Sequence, residues 1–330
     1  MKIAILFNEV DRDAPADERD VLDQMEVISD AVCELRHLSV TIPVGLDLYA
    51  LRSRLLLERP DAVFNLVESL AGSDRLILTV PALLETLQLP FSGAPLEALL
   101  KSTNKVLAKI LMRALGLPTA DWSEGEDLER VFRPGARVIA KSRWSHGSLG
   151  LEEDAVLKAA EPDKIRARLR RDEGDCFVEE YIEGREFNLS VLGGAAGPEV
   201  LPLAEIRFDE FAPGRPRIVG YRAKWDPDSL ESHGTPRTFT FGGRDSELLD
   251  RLRHAALACW RGFGLRGYAR VDFRVDEAGN PYILEVNANP CLSRDAGFLA
   301  AAAEAGLDST AVVARILADA PGAGGRLKGN

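Results

Sequence analysis

No stretch of this 330-residue chain approaches the ~20 consecutive apolar residues that a membrane-spanning helix requires. A helical membrane span is therefore excluded. The opening MKIAILFNE carries only a short apolar run before Asn8 and Glu9, which reads as a first strand and not as a signal peptide. Basic residues are not in excess: 41 Lys and Arg stand against 52 Asp and Glu, a formal charge of −11. A nucleic-acid or membrane-surface binder would want a basic field, so neither is expected as a partner. Any anionic substrate must be held by local cations. The four cysteines, Cys33, Cys176, Cys259 and Cys291, form no C-x-x-C pair, and reduced, mostly buried thiols in a cytoplasmic protein are the simple reading. The loop after the first strand, Asn8–Ala16, is acidic and lacks G-x-G-x-x-G, which argues against a dinucleotide site there.

What is present is ordinary for a soluble globular protein: 46% hydrophobic and 28% charged residues. The length exceeds one typical core and predicts two or three domains. Over residues 1–100, strands at Ile3–Phe7, Leu38–Val44 and Asp61–Val67 alternate with helical spacing at Arg19–Leu35, Leu48–Leu57 and Arg75–Leu87. That βαβαβα order favours a parallel sheet with helices on its faces. Ligands of open α/β sheets bind at strand C-termini, which makes Glu9, Asp11 and Glu68 candidates for substrate contact, with a solvated loop as the plainer alternative. Residues 101–116 predict a helix capped by Ser102 or Thr103. Lys105 lies in its first turn, against the helix dipole, either as surface noise or because it reaches an anionic ligand.

The stretch Gly267–Pro290 carries the densest chemistry. Two β-branched and aromatic runs flank the turn-rich Asp276–Pro281, a hairpin signal. Alternation places Arg270 and Asp272 on one face of the first strand, and Ile283, Glu285 and Asn287 on one face of the second. A turn symmetric about Ala278–Gly279 sets Asp272 across from Glu285. Cross-strand like charges repel, and two carboxylates with an amide oxygen suit a hard divalent cation. A solvated acidic face is the alternative. Upstream, the strand Arg137–Lys141 runs into SRWSHGSLG, where Gly147, Ser148 and Gly150 allow the backbone to approach a phosphate while Lys141 supplies charge. This loop is not G-x-x-x-x-G-K-[ST] and is a weak signal alone. His146 reads as polar surface or as a catalytic group. The strand Cys176–Ile182 and the strand opening at Glu186 are separated by Glu183–Gly184, a natural hinge. Asp209–Arg237 is a long Pro/Gly-rich loop, a length that is usually functional or disordered, and its Tyr221–Trp225 cluster suits a phosphate-bearing ligand. The charged run Glu161–Asp175 reads as a solvated helix face. Ser246–Gly262, Gly297–Ala305 and Thr310–Ala318 read as helices, and Pro321–Asn330 as a disordered tail.

The order of these pieces resembles the ATP-grasp superfamily and, over roughly residues 1–320, D-alanine–D-alanine ligases. The segments that carry the likeness are DAVFNLVE, VPALLETLQLPFSG, NKVLAK, GLPT, EEYIEGREF, YARVDF and LEVNANP. The resemblance implies an α/β (α+β) ATP-grasp fold. Its parts would be a Rossmann-like domain over 1–100, a central lobe over 101–184, a C-terminal lobe with the metal site over 185–320, and a flexible tail over 321–330. It implies ATP as cofactor, with Lys105, Lys141, Gly147 and Ser148 on the phosphates. Glu179, Glu180, Tyr181 and Ile182 would meet adenine chiefly through backbone groups, and Glu186 would bind ribose. Lys224 would reach the γ-phosphate as its loop closes. Mg2+, two ions with Mn2+ able to substitute, would be held by Asp272, Glu285 and Asn287. Arg270, Lys224 and Ser148 would be catalytic, with Arg270 stabilising charge at the reacting carboxylate. The partners implied are a small carboxylate and an amine, amino acids or similar, and a homodimer is compatible.

The departures concern the amino-acid half. D-alanine ligases have a glycine-rich first loop with a Ser and a Glu; here it is NEVDRDAPADE. Of their two loop serines only Ser148 remains, Gly147 standing for the other. Their Lys-Tyr is Lys224-Trp225. Cys291 replaces the Gly after the metal-binding segment, and Ala296 falls where a Ser grips the second substrate. The expectation is an amide-forming ligase with altered substrates, Trp225 and Arg294 shaping another acceptor pocket. The alternatives are a genuine D-alanine–D-alanine ligase of cell-wall synthesis and an ATP-dependent phosphotransferase or nucleotide-binding regulator.

Overall fold

The computed structural model describes residues 1–11, 13–148, 150–171, 175–209, 211–212 and 214–321. The expected disordered tail lies outside them except for Pro321, as does the end of the charged run, at 172–174.

Strand β1 (Lys2–Asn8) pairs in parallel with β2 (Leu38–Val44) and β3 (Ala62–Asn65), giving the order β2-β1-β3. Helices α1 (Ala16–Glu34), α2 (Leu48–Glu58) and α3 (Thr79–Thr86) connect and cover it. β1 is apolar on both faces because each is covered: Ile3, Ala4, Ile5 and Leu6 are fully buried. The 101–116 helix comes out differently. Helix α4 (Leu96–Thr103) stops, and α5 (Lys105–Ala114) starts afresh. The cap is Asn104, whose Oδ1 accepts from the Leu107 backbone at 3.0 Å. Ser102 instead donates to Ala98 O and Leu99 O. Ser, Thr and Asn all cap well; the extended backbone of Asn104 (ψ 102°) decides among them.

The second sheet, in the order β4-β7-β5-β6, contains β4 (Trp122–Ser123), β5 (Arg137–Ser142), β6 (Val156–Lys158) and β7 (Cys176–Glu180). It is backed by α6 (Leu128–Val131) and α7 (Pro162–Arg171). The chain then crosses Gly184 into a six-stranded sheet ordered β11-β10-β8-β12-β13 with β9 beside β8. Its strands are β8 (Arg185–Leu192), β9 (Glu199–Val200), β10 (Ala204–Ile206), β11 (Arg237–Thr238), β12 (Tyr268–Val275) and β13 (Pro281–Asn287). Gly184 (φ +141°) cannot be replaced, because a Cβ there would stand 2.0 Å from Val275 O. Between β10 and β11 the long loop forms two short helices, α8 (Tyr221–Trp225) and α9 (Leu230–His233). Helix α10 (Ser246–Phe263) packs Leu249, Leu252, Ala256, Cys259, Trp260 and Phe263 on the large sheet. Helices α11 (Gly297–Glu304) and α12 (Ser309–Ala318) close the chain.

Two packing facts cross the sequence order. Ala108 and Met112 of α5 share a core with Phe187, Phe273 and α10, so the apolar face of α5 packs with the large sheet while Lys109 reaches Glu179 on the second. Ile3, Ile5, Val27 and Ile28 share a core with Phe298, Val312 and Ile316, joining the first sheet's layer to the chain's end. The cleft floor is thus held by one continuous body. No single helix among the described residues is long and apolar enough to cross a membrane.

Candidate active site

The hairpin supplies the floor. Asp272 pairs with Glu285, and Arg270 with Asn287. The route to that register differs from the expected one. Val275 pairs with Pro281, Arg274 with Tyr282 and Phe273 with Ile283, centring the turn on Ala278, and a bulge at Leu284 then restores Asp272 to Glu285. The bulge also turns Ile283 to the opposite face from Glu285. Ile283 is fully buried among Val271 and Phe273, while Leu284, Glu285 and Asn287 line the cleft.

That cleft, about 1370 Å³, lies between the second sheet, the large sheet and the N-terminal layer. It gathers Lys105, Lys141, Gly147, Ser148, Glu179, Glu180, Tyr181, Ile182, Glu186, Lys224, Arg270, Asp272, Glu285 and Asn287. Lys105 Nζ donates to Ser145 O at 2.6 Å and stands 4.0 Å from Glu285 Oε2. Arg270 Nη2 lies 3.9 Å from Glu285 Oε1. Burial would raise the Glu285 pKa, but Lys105 and Lys224 outweigh it and hold the carboxyl well below its ordinary range. Glu285 is therefore a carboxylate facing cations at long range. Asp272 is held more tightly. Arg270 Nε and Nη2 donate to its two oxygens at 2.8 Å each, and Asn188 Nδ2 donates at 2.9 Å. The set is all oxygen and suits a hard divalent ion, though Asp272 can join it only by sharing or releasing Arg270.

Several groups do more than expected. Glu179 is buried, with its oxygens 2.5 Å from Lys109 and 2.6 Å from Lys141. Its side chain is the counter-ion of two lysines, so in this structure Lys141 faces Glu179. Burial favours the neutral forms of Lys109 and Glu179. Two ammoniums at contact distance nevertheless hold Glu179 below its ordinary range, and the geometry is that of an ionised triad. Glu186 Oε2 accepts from Arg274 Nη2 at 3.0 Å, and burial, the largest influence, raises its pKa. The Tyr181 hydroxyl accepts from Arg217 N at 2.8 Å and donates to Arg217 O at 3.3 Å. His146 sits among Lys105, Glu285, Lys224 and Arg270; burial and then Lys105 push its imidazole down to about 3, so it is neutral at pH 7.

The long loop is folded down over the cleft. Trp225 Nε1 donates to Gly147 O at 3.0 Å, Ser148 Oγ to Val219 O at 2.8 Å, and the Tyr221 hydroxyl to Asp17 at 2.9 Å. Gly147 (φ +67°) and Ser148 (φ +64°) are both left-handed, the second at a steric cost for a residue with a Cβ. Lys224 reaches into the cleft and stays open to solvent, repelled by Arg270 and drawn to Glu285, Asp272 and Glu186.

Glu9, Asp11 and Glu68 line the far wall. Arg294 does not line the cleft; it lies on the surface 3.5 Å from Asp23 and 3.5 Å from Asp30, because the turn after Pro290 carries it toward α1. Lys109, Asn188 and Arg274 were missed, although simple periodicity marks two of them. Arg274 shares the strand face of Arg270 and Asp272, and Asn188 that of Glu186. Lys109, four residues after Lys105, passes for a surface lysine until Glu179 is placed beside it.

Glu68 accepts from Gln24 at 3.0 Å. Burial, aided by Asp20 and Asp74, raises its pKa to about 7. A carboxyl whose folded value lies above its unfolded one costs stability as pH rises from the unfolded value through the folded one. Glu68→Gln is therefore expected to gain thermal stability relative to wild type between pH 5 and pH 8, with no difference near pH 4. Melting curves across that range measure it, and a pH-independent offset would contradict it.

Residues 111–318 match the family described as D-ala D-ala ligase C-terminus. A D-alanine–D-alanine ligase of Synechococcus sp. strain JA-3-3Ab is 34% identical over 252 residues, 73% of this chain and 71% of that protein. One from Pelotomaculum thermopropionicum is 29% identical over 91% of this chain and 92% of its own length. An uncharacterized protein of Sinorhizobium fredii is 32% identical over 77% of this chain and 73% of its own length. The D-alanine–D-alanine ligase of Bacillus anthracis complexed with ATP superposes with a TM-score of 0.71 at 20% identity, covering 97% of both chains. That of Coxiella burnetii gives 0.72 at 17% identity, covering 99% of this chain and 97% of the other. At these identities the structures speak for the fold.

Proposed function

The chain belongs to the D-alanine–D-alanine ligase family of the ATP-grasp fold, and from that premise we propose that it is an ADP-forming, ATP-dependent carboxylate–amine ligase whose two substrates are not both D-alanine. The observation that carries the reading is the joint placement of Asp272, Glu285, Asn287, Arg270, Lys105 and Lys224 in one cleft beneath a folded-down loop. Binding alone would not need that set.

ATP would lie between the second and large sheets. Lys105 and Lys141 would meet its phosphates, the latter on leaving Glu179, and Glu186 would meet the ribose. The hinge residues Glu180, Tyr181 and Ile182 would offer backbone groups to the base. The lobes would be those expected from the sequence, with α5 working from the C-terminal body. Asp272, Glu285 and Asn287 would hold Mg2+, which offsets phosphate charge. A carboxylate is a poor electrophile; attack on the γ-phosphorus makes it an acyl phosphate and releases ADP. The amine then displaces phosphate and leaves an amide. Lys224 and Arg270 would stabilise the anionic charge of both steps. The loop over Gly147 would exclude water, which would otherwise hydrolyse the acyl phosphate.

Altered substrates are supported by the wall facing the nucleotide end. Where the resemblance leads one to expect a Ser-bearing glycine loop and a second-substrate Ser, the cleft presents Glu9, Asp11, Cys291 and Ala296. A phosphate-release screen over amino-acid and dipeptide pairs, with mass spectrometry of the product, tests the reading. Release is expected to require both an acid and an amine and to stay at background with D-alanine alone. Efficient release with D-alanine alone would make this a genuine D-alanine–D-alanine ligase, and a stable phosphorylated product would make it a phosphotransferase.

A further inference from the structure

One buried cation behind the cleft has no place in that chemistry. Lys109 lies one turn after Lys105 on α5, is 1% exposed and does not line the cleft. An ammonium has three N–H donors, and here each has an acceptor. Thr119 Oγ1 accepts at 2.8 Å, Ala120 O at 3.3 Å, and Glu179 Oε2 stands at 2.5 Å. The Trp122 ring closes a further side, its centre 5.8 Å from Nζ. Thr119 is itself fixed, since its hydroxyl donates to Ile283 O at 3.2 Å. Lys109 therefore cannot swing out to a ligand. Lys141 is the opposite case. Ile139 pairs with Glu179 between β5 and β7, which sets Lys141 one diagonal step from Glu179. Lys141 lines the cleft, is 16% exposed, and has Glu179 Oε1 at 2.6 Å as its one ion pair among the described residues. Two cations on one carboxylate are one more than a structural ion pair needs, and the surplus one faces the cleft.

We propose that Lys109 is a positioning residue: by holding the charge of Glu179 from behind, it lets Lys141 leave Glu179 for the nucleotide phosphates. This rests on the ligase reading and deepens it, since Lys141 has a task at the phosphates only if ATP binds in the cleft. Glu179 is 1% exposed, so water does not replace a partner that departs. With Lys109 in place, the departure of Lys141 leaves a buried pair of one anion and one cation. Without Lys109, the same departure strands a buried carboxylate, which is strongly unfavourable. Lys141 would then stay on Glu179, and the phosphates would lose one of their cations.

The test uses wild type, Lys109→Met, Glu179→Gln and the double variant Lys109→Met/Glu179→Gln. A non-hydrolysable ATP analogue with Mg2+, and separately adenosine, are titrated into each, with Kd read by calorimetry. Lys109→Met keeps the length of the side chain and removes its charge, and Glu179 retains Lys141 as a partner in the unliganded protein. It is expected to weaken binding of the analogue by about tenfold or more. Adenosine, which offers Lys141 no phosphate, is expected to bind as in wild type. In the double variant no carboxylate remains to hold Lys141, and most of the lost affinity for the analogue returns. Equal losses for analogue and adenosine, no loss for the analogue, or no recovery in the double variant overturns the proposal. If Lys109→Met does not fold, Glu179→Gln and the double variant decide. Comparable affinities of those two for the analogue are expected, and weaker binding by the double variant overturns the proposal. Failure of the analogue to bind wild type would instead strike the ligase reading.

Discussion

Replacing Glu285 by Gln is expected to lower turnover by about a thousandfold or more, equivalent to about 4 kcal/mol of transition-state stabilisation, while leaving a folded protein that still binds nucleotide. Glu285 stands opposite Asp272 in the hairpin ladder, with Lys105 and Arg270 about it at 4.0 and 3.9 Å. An amide keeps the shape and one oxygen but loses the charge, and its NH2 turns a donor toward these cations. A metal held by the remaining Asp272 and Asn287 would have one anionic ligand in place of two, with a corresponding loss of charge offset at the phosphates. The fold should tolerate the change because neither neighbour is in tight contact with Glu285. Steady-state phosphate release on the pair found by screening, beside nucleotide binding followed by fluorescence, measures both halves. Turnover within tenfold of wild type would remove Glu285 from the metal site.

The second large effect falls on stability. Glu179→Gln leaves Lys109 and Lys141 facing an uncharged amide in a place where Lys109 is only 1% exposed. Removing one partner of a buried ion pair strands the other charge and costs about 3–5 kcal/mol. The Lys109 contacts with Thr119 and Ala120 recover only a neutral hydrogen bond's share, about 1 kcal/mol. A drop in melting temperature of roughly 3–6 °C is expected. The loss should be greatest above the ordinary carboxyl range. Glu179 is depressed in the folded state, so its stabilisation is present above its unfolded pKa and fades as pH falls through the folded value. A variant as stable as wild type at pH 7 would show that the triad is worth no more than its neutral replacement.

Much of the fold was legible because its signals are local. Leu38–Val44 and Ser246–Phe263 appear almost as their side-chain periods predict, and the βαβ order called for the parallel first sheet. The site residues could be named because strand alternation and a short turn place Asp272 opposite Glu285. The same reasoning failed at Ile283, where a single bulged residue at Leu284 exchanges the two faces. It failed at the start of α5, where three adjacent residues cap equally well in principle and backbone geometry chose Asn104.

What the sequence determined by itself is the chemistry on each strand: oxygen ligands on the hairpin, a lysine opening a helix, a glycine loop, and a basic-aromatic loop long enough to cover them. These follow from residue type and from periods of two and 3.6, which short-range sterics enforce. Tertiary structure alone decided who neutralises whom. Lys109 and Glu179 lie 70 positions apart in number, Arg237 meets Gly297 across two strands and a helix, and Arg294 leaves the cleft for α1. Such pairings depend on how three sheets close around a shared core. Charges act through space at full strength only where water is excluded, and which residues those are is known only once the chain has packed.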